Sequence, residues 1–571
     1  MKTINAAKGA AKVDAMGNSE DSRAVVSRGT RPRRNARRLC CRYAPHRLPS
    51  ISCEVAHGPV SSIDRYSART MDPVRSTTSR RAPSGPPRPG GSRQRARSLY
   101  SSRPAFSRHM DRVLKLFEGV QKSMDADAVH DLRVALRRCR AVAETLQEVD
   151  ADRDWRALRR QSRSVFQSLG ALRDIQILEE WVVKLTSEDD SVRHSCLDRL
   201  QERGAALRDK ARQSMEDFDR QAWKRLGRKL SRRARLVRAN GATAQCLALE
   251  RFLDLLESHA RAVPTETPGR WHELRIALKR FRYVVEHFLP AQYAVWEASI
   301  KQMQDLLGKL HDLYVVRAFV VRECEAAGTI NDERQHCMIQ YRERAHGPAG
   351  LLREWETGLP QGKRIGTVTA ARLRTTAQAL DPRFERTVHI SRLALQLFDR
   401  VAGRREPVLR EARTRLIFGT AARLQGIRPS NSRGSRQKGA YKILRGLPPP
   451  IGWTADEWET VACTVRYGRG PEPSPTDSTF APLRPDRQHL VSVLAGVLRL
   501  ARALQRSGGS SLEAAGRIDA GSDLRLEVAG LKDSRKIAGR LASAKHLLEV
   551  CLGTHVIIDP SWRPSAAARA I

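Results

Sequence analysis

The stretch Val129-His-Asp-Leu-Arg-Val-Ala-Leu-Arg-Arg-Cys-Arg140 returns as Trp271-His-Glu-Leu-Arg-Ile-Ala-Leu-Lys-Arg-Phe-Arg282. His130 matches His272, Arg133 matches Arg275, Arg137 matches Lys279 and Arg140 matches Arg282, all at an offset of 142. A fixed-offset repeat decides the architecture before any single residue does. At roughly 100° per residue, positions 130, 133, 137 and 140 fall within about 80° of one another on a helix. They form a cationic stripe with a histidine at its N-terminal end. Leu132, Leu136 and Cys139 form a separate apolar stripe, repeated by Leu274, Leu278 and Phe281. Each helix therefore offers a greasy seam to a bundle core and a basic seam beside it.

A second element repeats in the same order. Leu169-Gly-Ala-Leu-Arg-Asp174 matches Leu307-Gly-Lys-Leu-His-Asp312. The Leu-Gly pair predicts a helix end in both copies, with a new helix opening after it and the Asp near its start. Asp174 and Asp312 then read as helix-start or arginine-orienting residues.

Composition narrows the partners. The 571 residues carry 103 Lys and Arg against 62 Asp and Glu, a formal net charge of +41. Such an excess predicts an anionic partner: nucleic acid, a membrane surface, polyphosphate or phosphorylated metabolites. Aromatic residues make up only 5%, sparse for a protein that stacks bases. The ten cysteines contain no C-x-x-C pair, a reduced, intracellular pattern rather than a disulfide framework or zinc site. No apolar run reaches the length of a membrane span and no signal-peptide pattern opens the chain. The expected location is cytoplasmic, with polyphosphate granules as a special case.

Residues 1–105 read as a disordered basic arm. Arg28 to Arg38 holds six arginines, and Arg80 to Arg97 is rich in Pro, Gly, Ser and Arg. That composition buries too little apolar surface to offset its ordering entropy. It suits a solvated tail or translated upstream sequence, with Met110 as a second start site; a non-specific polyanion-binding arm is the functional alternative. Residues 106–350 show helix spacing throughout and predict a two-repeat, pseudo-symmetric bundle, with repeats at about 106–238 and 245–350. Residues 351–375, with Gly358, Gly362 and Gly366, read as a linker. Helical spacing resumes over 376–507. The tail alternates like a strand over Asp523–Val528, then predicts a helix at Arg535–Leu552 and a strand at His555–Ile558. The fold class is mainly α with a short α/β tail.

The two H-x-x-R-x-x-x-[RK]-R-x-R stretches, each followed by L-G-x-L-x-D, resemble the CHAD family, the conserved histidine α-helical domain. The resemblance spans roughly 106–345. It implies an all-helical bundle of two halves, similar to modules that bind inorganic polyphosphate along a basic groove. Carried over by position, His130, Arg133, Arg137 and Arg140 line one wall, and His272, Arg275, Lys279 and Arg282 the other. Arg138 and Arg280 also match the motif, but the helix geometry points them elsewhere. Physical chemistry supports the same site: Arg grips phosphate oxygens bidentately, Lys acts as a point charge, and His donates from its ring.

Residues 376–558 resemble the C-terminal, HD-type helical domain of the exopolyphosphatase/guanosine pentaphosphatase family. The matching stretches are Arg386–Asp399, Gly439–Leu444, Val465–Arg469 and Leu498–Leu504. The resemblance also marks a loss. His389 stands at the first metal-ligand position, but the His-Asp pair reads Leu424-Gln425, and Lys438 and Gly468 occupy later histidine positions. Leucine and glycine side chains cannot ligate a cation and lysine repels it. The domain is therefore expected to be degenerate, without metal, cofactor or catalysis. No G-x-S-x-G, H-E-x-x-H or Walker A pattern supplies other chemistry. Cys463 and Cys551 read as small core residues, and Arg428 to Lys438 as a solvated basic loop. The leading reading is non-enzymatic polyphosphate binding. An HD-type metal-dependent phosphohydrolase and a non-specific nucleic-acid binder are the alternatives.

Overall fold

The computed structural model describes residues 105–320, 327–348, 350–402, 407–429, 435–512, 523–531 and 534–559. The basic arm expected over 1–105 and the centre of the basic loop at 430–434 lie outside the described residues.

The first repeat comprises α1 (Ala105–Lys122), α2 (Ala126–Val149), α3 (Arg153–Gln161), α4 (Arg163–Leu185) and α5 (Ser191–Glu216), followed by α6 (Arg220–Ala234). The second comprises α7 (Ala242–Ala262), α8 (Pro268–Phe288), α9 (Pro290–Val320) and α10 (Ala327–His346). The packing order recurs: α1 on α2, α2 on α4 and α4 on α5 is echoed by α7 on α8, α8 on α9 and α9 on α10. Local chemistry sets the boundaries. Asp125 caps α2 by accepting from the Ala128 N–H at 2.7 Å, which satisfies one of the free donors of the first turn. Between the repeats Asn240 takes φ +56°, a left-handed conformation that Asn tolerates, and its N–H donates to the Phe288 carbonyl at 2.8 Å. The turn is thereby tied to the end of α8.

The apolar stripes behave as their spacing predicts. Leu132, Leu136, Cys139, Leu274, Leu278 and Phe281 are all buried in one continuous core with Trp155, Trp271 and Trp355. The two motif helices, α2 and α8, pack on each other, and α4 touches α9.

Two sequence expectations change here. The Leu-Gly pairs do not end helices: Gly170 lies inside α4 and Gly308 inside α9. A helix interior tolerates glycine at about 1 kcal/mol, and tertiary packing overrides that preference. Likewise, residues 351–375, expected to be a linker, hold α11 (Leu351–Thr357) and most of α12 (Lys363–Leu380). The reason is that α12 buries Thr369, Arg372, Thr375 and Thr376 among Val368, Ala377 and Leu380, so polar residues interrupt its apolar face. Arg372 Nη1 meets Glu250 Oε1 of α7 at 2.9 Å, with both side chains almost fully enclosed. Burial pushes the Glu250 carboxyl up to about 7 and Arg372 opposes it. Removing the guanidinium would leave that acid buried alone. Arg372→Ala is expected to cost about 3–5 kcal/mol in denaturant unfolding, whereas the paired change Arg372→Met with Glu250→Gln recovers most of it.

The C-terminal part holds α13 (Phe384–Ala402), α14 (Pro407–Arg410), α15 (Ala412–Leu424), α16 (Arg436–Gly446), α17 (Ala455–Tyr467) and α18 (Pro485–Arg506), then β1 (Ser511–Leu512), β2 (Leu524–Ala529), α19 (Arg535–Leu552) and β3 (Val556–Asp559). β2 is central, antiparallel to β1 and parallel to β3, with Leu524 opposite Val556. The parallel pairing requires a crossover, and α19 supplies it while packing on α18. A second core, centred on α13, α15, α17 and α18, spans Ala377 to Val556. The expected tail of strand, helix and strand is present. β1 carries too short a pattern to be legible beforehand.

Candidate functional site

The basic stripes of α2 and α8 converge. Arg133 lies half-buried between α2 and α4, where its Nη1 donates to the Phe166 carbonyl at 3.3 Å and its guanidinium stacks over the Phe166 ring at 5.4 Å. Burial pushes it down to about 10; Arg137, Arg173 and Arg275 push the same way, and only Asp174 opposes them. Arg275 is lowered by burial and by Arg137 against the pull of Asp312 and Asp174. Lys279 is pushed down to about 6 by burial, then by Arg275, Arg137 and Arg133, with Asp312 opposing. Charges from both repeats therefore act on one another in one site. Five cations, Arg133, Arg137, Arg173, Arg275 and Lys279, meet two acids, Asp174 and Asp312.

The acids respond accordingly. Asp312 is raised to about 6, by burial first, while Arg275, Lys279 and Arg173 hold it down. Asp174 is raised by burial against Arg133, Arg275 and Arg137. Both sit mid-helix and face the cationic cluster, so of the two roles read from sequence, arginine orientation fits and helix start does not. The histidines stand at the rim. His130 is exposed and lowered by burial of its ring, Arg173 and Arg137. The His272 ring Nδ1 lies 3.3 Å from His311 Nδ1. His311 is pushed down to about 3 by burial, Arg275 and its histidine neighbour. The bases of the site are lowered and its two acids raised, by burial first in each case, so the site disfavours both kinds of charged group until an anion fills it.

Four of the motif cations do not join this cluster. Arg140 donates to the Arg159 carbonyl and, at 3.0 Å, to Ser162 Oγ, and it covers the other side of Phe166 at 5.0 Å. Arg282 donates to Gln304 Oε1 and approaches Glu286 at 3.8 Å. These two, expected among the wall residues, instead hold their motif helices to the following helix. Gln304 occupies in α9 the place of Phe166 in α4, at the 138 offset of the second motif. Arg138 pairs with Glu286 at 3.0 Å and Arg280 with Glu144 at 3.6 Å. Since 138 matches 280 and 144 matches 286, these are two copies of one contact, related by the pseudo-symmetry of the repeats. They clasp α2 to α8.

Sequence reasoning missed Arg173 and His311. They occupy the same variable position of the two L-G-x-L-x-D elements, one residue before the acid, and differ in type. Their signal was only that shared register. Arg173 is also tied to Glu180 at 3.0 Å.

Gly170 now has a role beyond helix geometry. A Cβ there would stand 2.5 Å from Arg133 Nη1, while a Cβ at Gly308 would meet nothing within 4 Å. The matched substitutions should separate. Gly308→Ala is expected to stabilise the chain by up to about 1 kcal/mol with groove binding unchanged, whereas Gly170→Ala displaces Arg133 and weakens anion affinity several-fold. Thermal melts and binding titrations on both variants check this.

The convergence of two H-x-x-R helices with two L-G-x-L-x-D helices agrees with a family match. Residues 104–321 match the family model described as CHAD domain. The chain carries a CHAD domain. Among solved structures, the crystal structure of the CHAD domain from the plant Ricinus communis aligns at 22% identity, over 43% of this chain and 88% of that chain, with a TM-score of 0.33. No curated protein matches. The CHAD match runs from α1 to the end of α9 and so contains every residue of the cationic cluster.

The sequence positions in the C-terminal part fall as follows. Leu424 is fully buried in the second core. Gln425 and Gly468 line a cavity. Lys438 and His389 are exposed, on α16 and α13. Among the described residues no three His, Cys, Asp or Glu side chains assemble as a metal set, and no helix is long and apolar enough to cross a membrane.

Proposed function

We propose that the CHAD domain binds inorganic polyphosphate, without cleaving it, in the groove between α2 and α4 of one repeat and α8 and α9 of the other. The observation that carries this reading is the convergence of Arg133, Arg137, Arg275 and Lys279, four basic side chains from two repeats, around Asp174 and Asp312. A linear polyanion supplies closely spaced oxygens along one line. Guanidinium groups grip such oxygens bidentately, the lysine adds a point charge, and His130 and His272 extend the donor set at the rim. The partners of Arg140, the Arg159 carbonyl and Ser162, and of Arg282, Gln304 and Glu286, keep them out of this inner set.

We read the C-terminal part as an HD-like, exopolyphosphatase-type helical unit that no longer holds a metal set, and the protein as cytoplasmic. The non-catalytic reading has a direct test. Stoichiometric Mn, Fe or Zn in the purified protein, lost in His389→Ala, would restore the phosphohydrolase alternative. The substrate reading is tested by competition at physiological salt. Long-chain polyphosphate should displace duplex or single-stranded nucleic acid from the protein at lower phosphate concentration than the reverse exchange. Equal displacement in both directions would leave a non-specific polyanion binder driven by net charge.

A further inference from the structure

A second cluster of arginines lies away from the CHAD groove, in the C-terminal part. A cavity of about 480 Å³ opens where the start of α13, the ends of α15, α17 and α18, and the middle of α19 meet. Eight of its lining residues are arginines and one, Asp381, is a carboxylate.

The arginines are held by neutral partners. Arg386 donates from Nε and Nη2 to Gln505 Oε1 at 3.1 and 3.0 Å. Arg499 donates to the carbonyls of Tyr467, at 3.0 Å, and Gly470. Arg502 donates to Gln425 Oε1, and Arg540 reaches Ser507 Oγ at 3.5 Å. Arg383, Arg428, Arg469 and Arg506 complete the ring. Arg386, Arg428, Arg499, Arg502, Arg506 and Arg540 form no ion pair with a described carboxylate; Glu472 acts on Arg499 only from a distance. A guanidinium has five N–H donors, so amide and carbonyl partners fix its direction, leave donors free and leave its charge uncompensated.

Arginines at helix C-termini also serve the helices themselves by meeting free carbonyls. That role accounts for Arg499. It does not account for the cavity, nor for Gln425. Gln425 is more than nine-tenths buried, its Oε1 is taken by Arg502, and its Nε2 donor has no partner. The Gln425 Nε2 donor is thus left open in a lining where arginines outnumber the one carboxylate, Asp381, whose own Oδ2 is also without a donor.

We propose that this cavity binds a compact, multiply charged phosphate anion, a chain of a few phosphoryl groups. Its volume lies in the range of small-ligand sites. The lining contains no aromatic ring: its apolar members are Ile390, Ile427, Val465, Ala503 and Ala544. A nucleobase would find nothing to stack on, so the phosphate chain alone is recognised.

The test uses the full chain in a background where the CHAD groove is disabled by Arg133→Ala, Arg137→Ala, Arg275→Ala and Lys279→Ala. Inorganic tripolyphosphate is titrated calorimetrically and ATP is titrated in parallel. One site per chain is expected, with ATP binding no tighter than tripolyphosphate. Arg428→Gln with Arg506→Gln, two side chains that hold no helix end, should weaken tripolyphosphate at least about 30-fold. Gln425→Glu, which sets a carboxylate against Arg502 while leaving every arginine in place, should do the same with the melting temperature preserved. Unchanged affinity in both pocket variants, or no tripolyphosphate binding once the groove is disabled, overturns the proposal. Tighter binding of ATP overturns the ligand class. None of these outcomes bears on long-chain binding by the groove, which is read in the wild-type background.

Discussion

Arg133→Ala, Arg137→Ala, Arg275→Ala and Lys279→Ala in one chain should abolish binding of long-chain polyphosphate while leaving the fold at least as stable. Each of these side chains contributes charge-assisted contacts worth roughly 1.5–3 kcal/mol to an anion in a partly buried site. Losing four weakens affinity by at least about 10³-fold, even with incomplete additivity. The salt dependence should flatten too. A linear polyanion releases about 0.7 counterions per phosphate neutralised, so the slope of log affinity against log salt becomes shallower by about 3. Stability runs the other way from what loss of a structural network would give. Burial and like-charge neighbours already penalise the charged forms of Arg133, Arg275 and Lys279. Their removal relieves that penalty, so the unliganded variant should melt no lower than the wild type. A variant that melts lower would show that the cluster holds the fold together.

The second large effect is a proton linkage at Lys279. Its free amine titrates at about 6, below the ordinary 10.5, because burial, Arg275, Arg137 and Arg133 outweigh Asp312. The folded protein therefore holds fewer protons than the unfolded chain between those two values, and stability of the unliganded protein rises with pH across that window. Bound polyphosphate reverses the local charge and returns the amine toward its ordinary value. Binding then takes up close to one proton near pH 8, and affinity gains up to about tenfold for each unit of pH lowered toward 6. Calorimetry in buffers of different ionisation enthalpy reads the uptake. Lys279→Met should remove it above pH 7. A residual uptake nearer pH 6 belongs to His130, His272 and His311, which are lowered by burial and by the same arginines.

The repeat made the bundle legible because two periodicities coincided: apolar residues at helical spacing for the core, and basic residues at the same spacing one third of a turn away. That reasoning put Arg133, Arg137, Arg275 and Lys279 on matching stripes, and the structure brings these four together. It failed one turn later. Arg140 and Arg282 lie within the same angular stripe, but the next helix crosses there, and Ser162, Phe166 and Gln304 claim them. A helical wheel carries no record of a crossing helix. Arg138 and Arg280 could have been read further, since Glu144 and Glu286 repeat at the same offset and mark a reciprocal clasp. The segment 351–375 was obscured by its chemistry, because threonines and a paired arginine are buried between Val368 and Ala377 and interrupt the apolar stripe. Glycine misled in the other direction. Gly170 reads as a helix stop, yet its missing side chain makes room for the Arg133 guanidinium.

The central claim is that both repeats serve one groove. Stoichiometry and affinity for polyphosphate chains just long enough to fill one groove test it most directly in two half-variants, Arg133→Ala with Arg137→Ala and Arg275→Ala with Lys279→Ala, compared with the otherwise wild-type protein, all three carrying Arg428→Gln and Arg506→Gln so that the C-terminal cavity adds no site. A single groove predicts one site per chain in the wild type and, in each half-variant, the same site count with affinity reduced at least about 30-fold. Two sites per chain in the wild type, with each half-variant keeping one at full affinity, would contradict it.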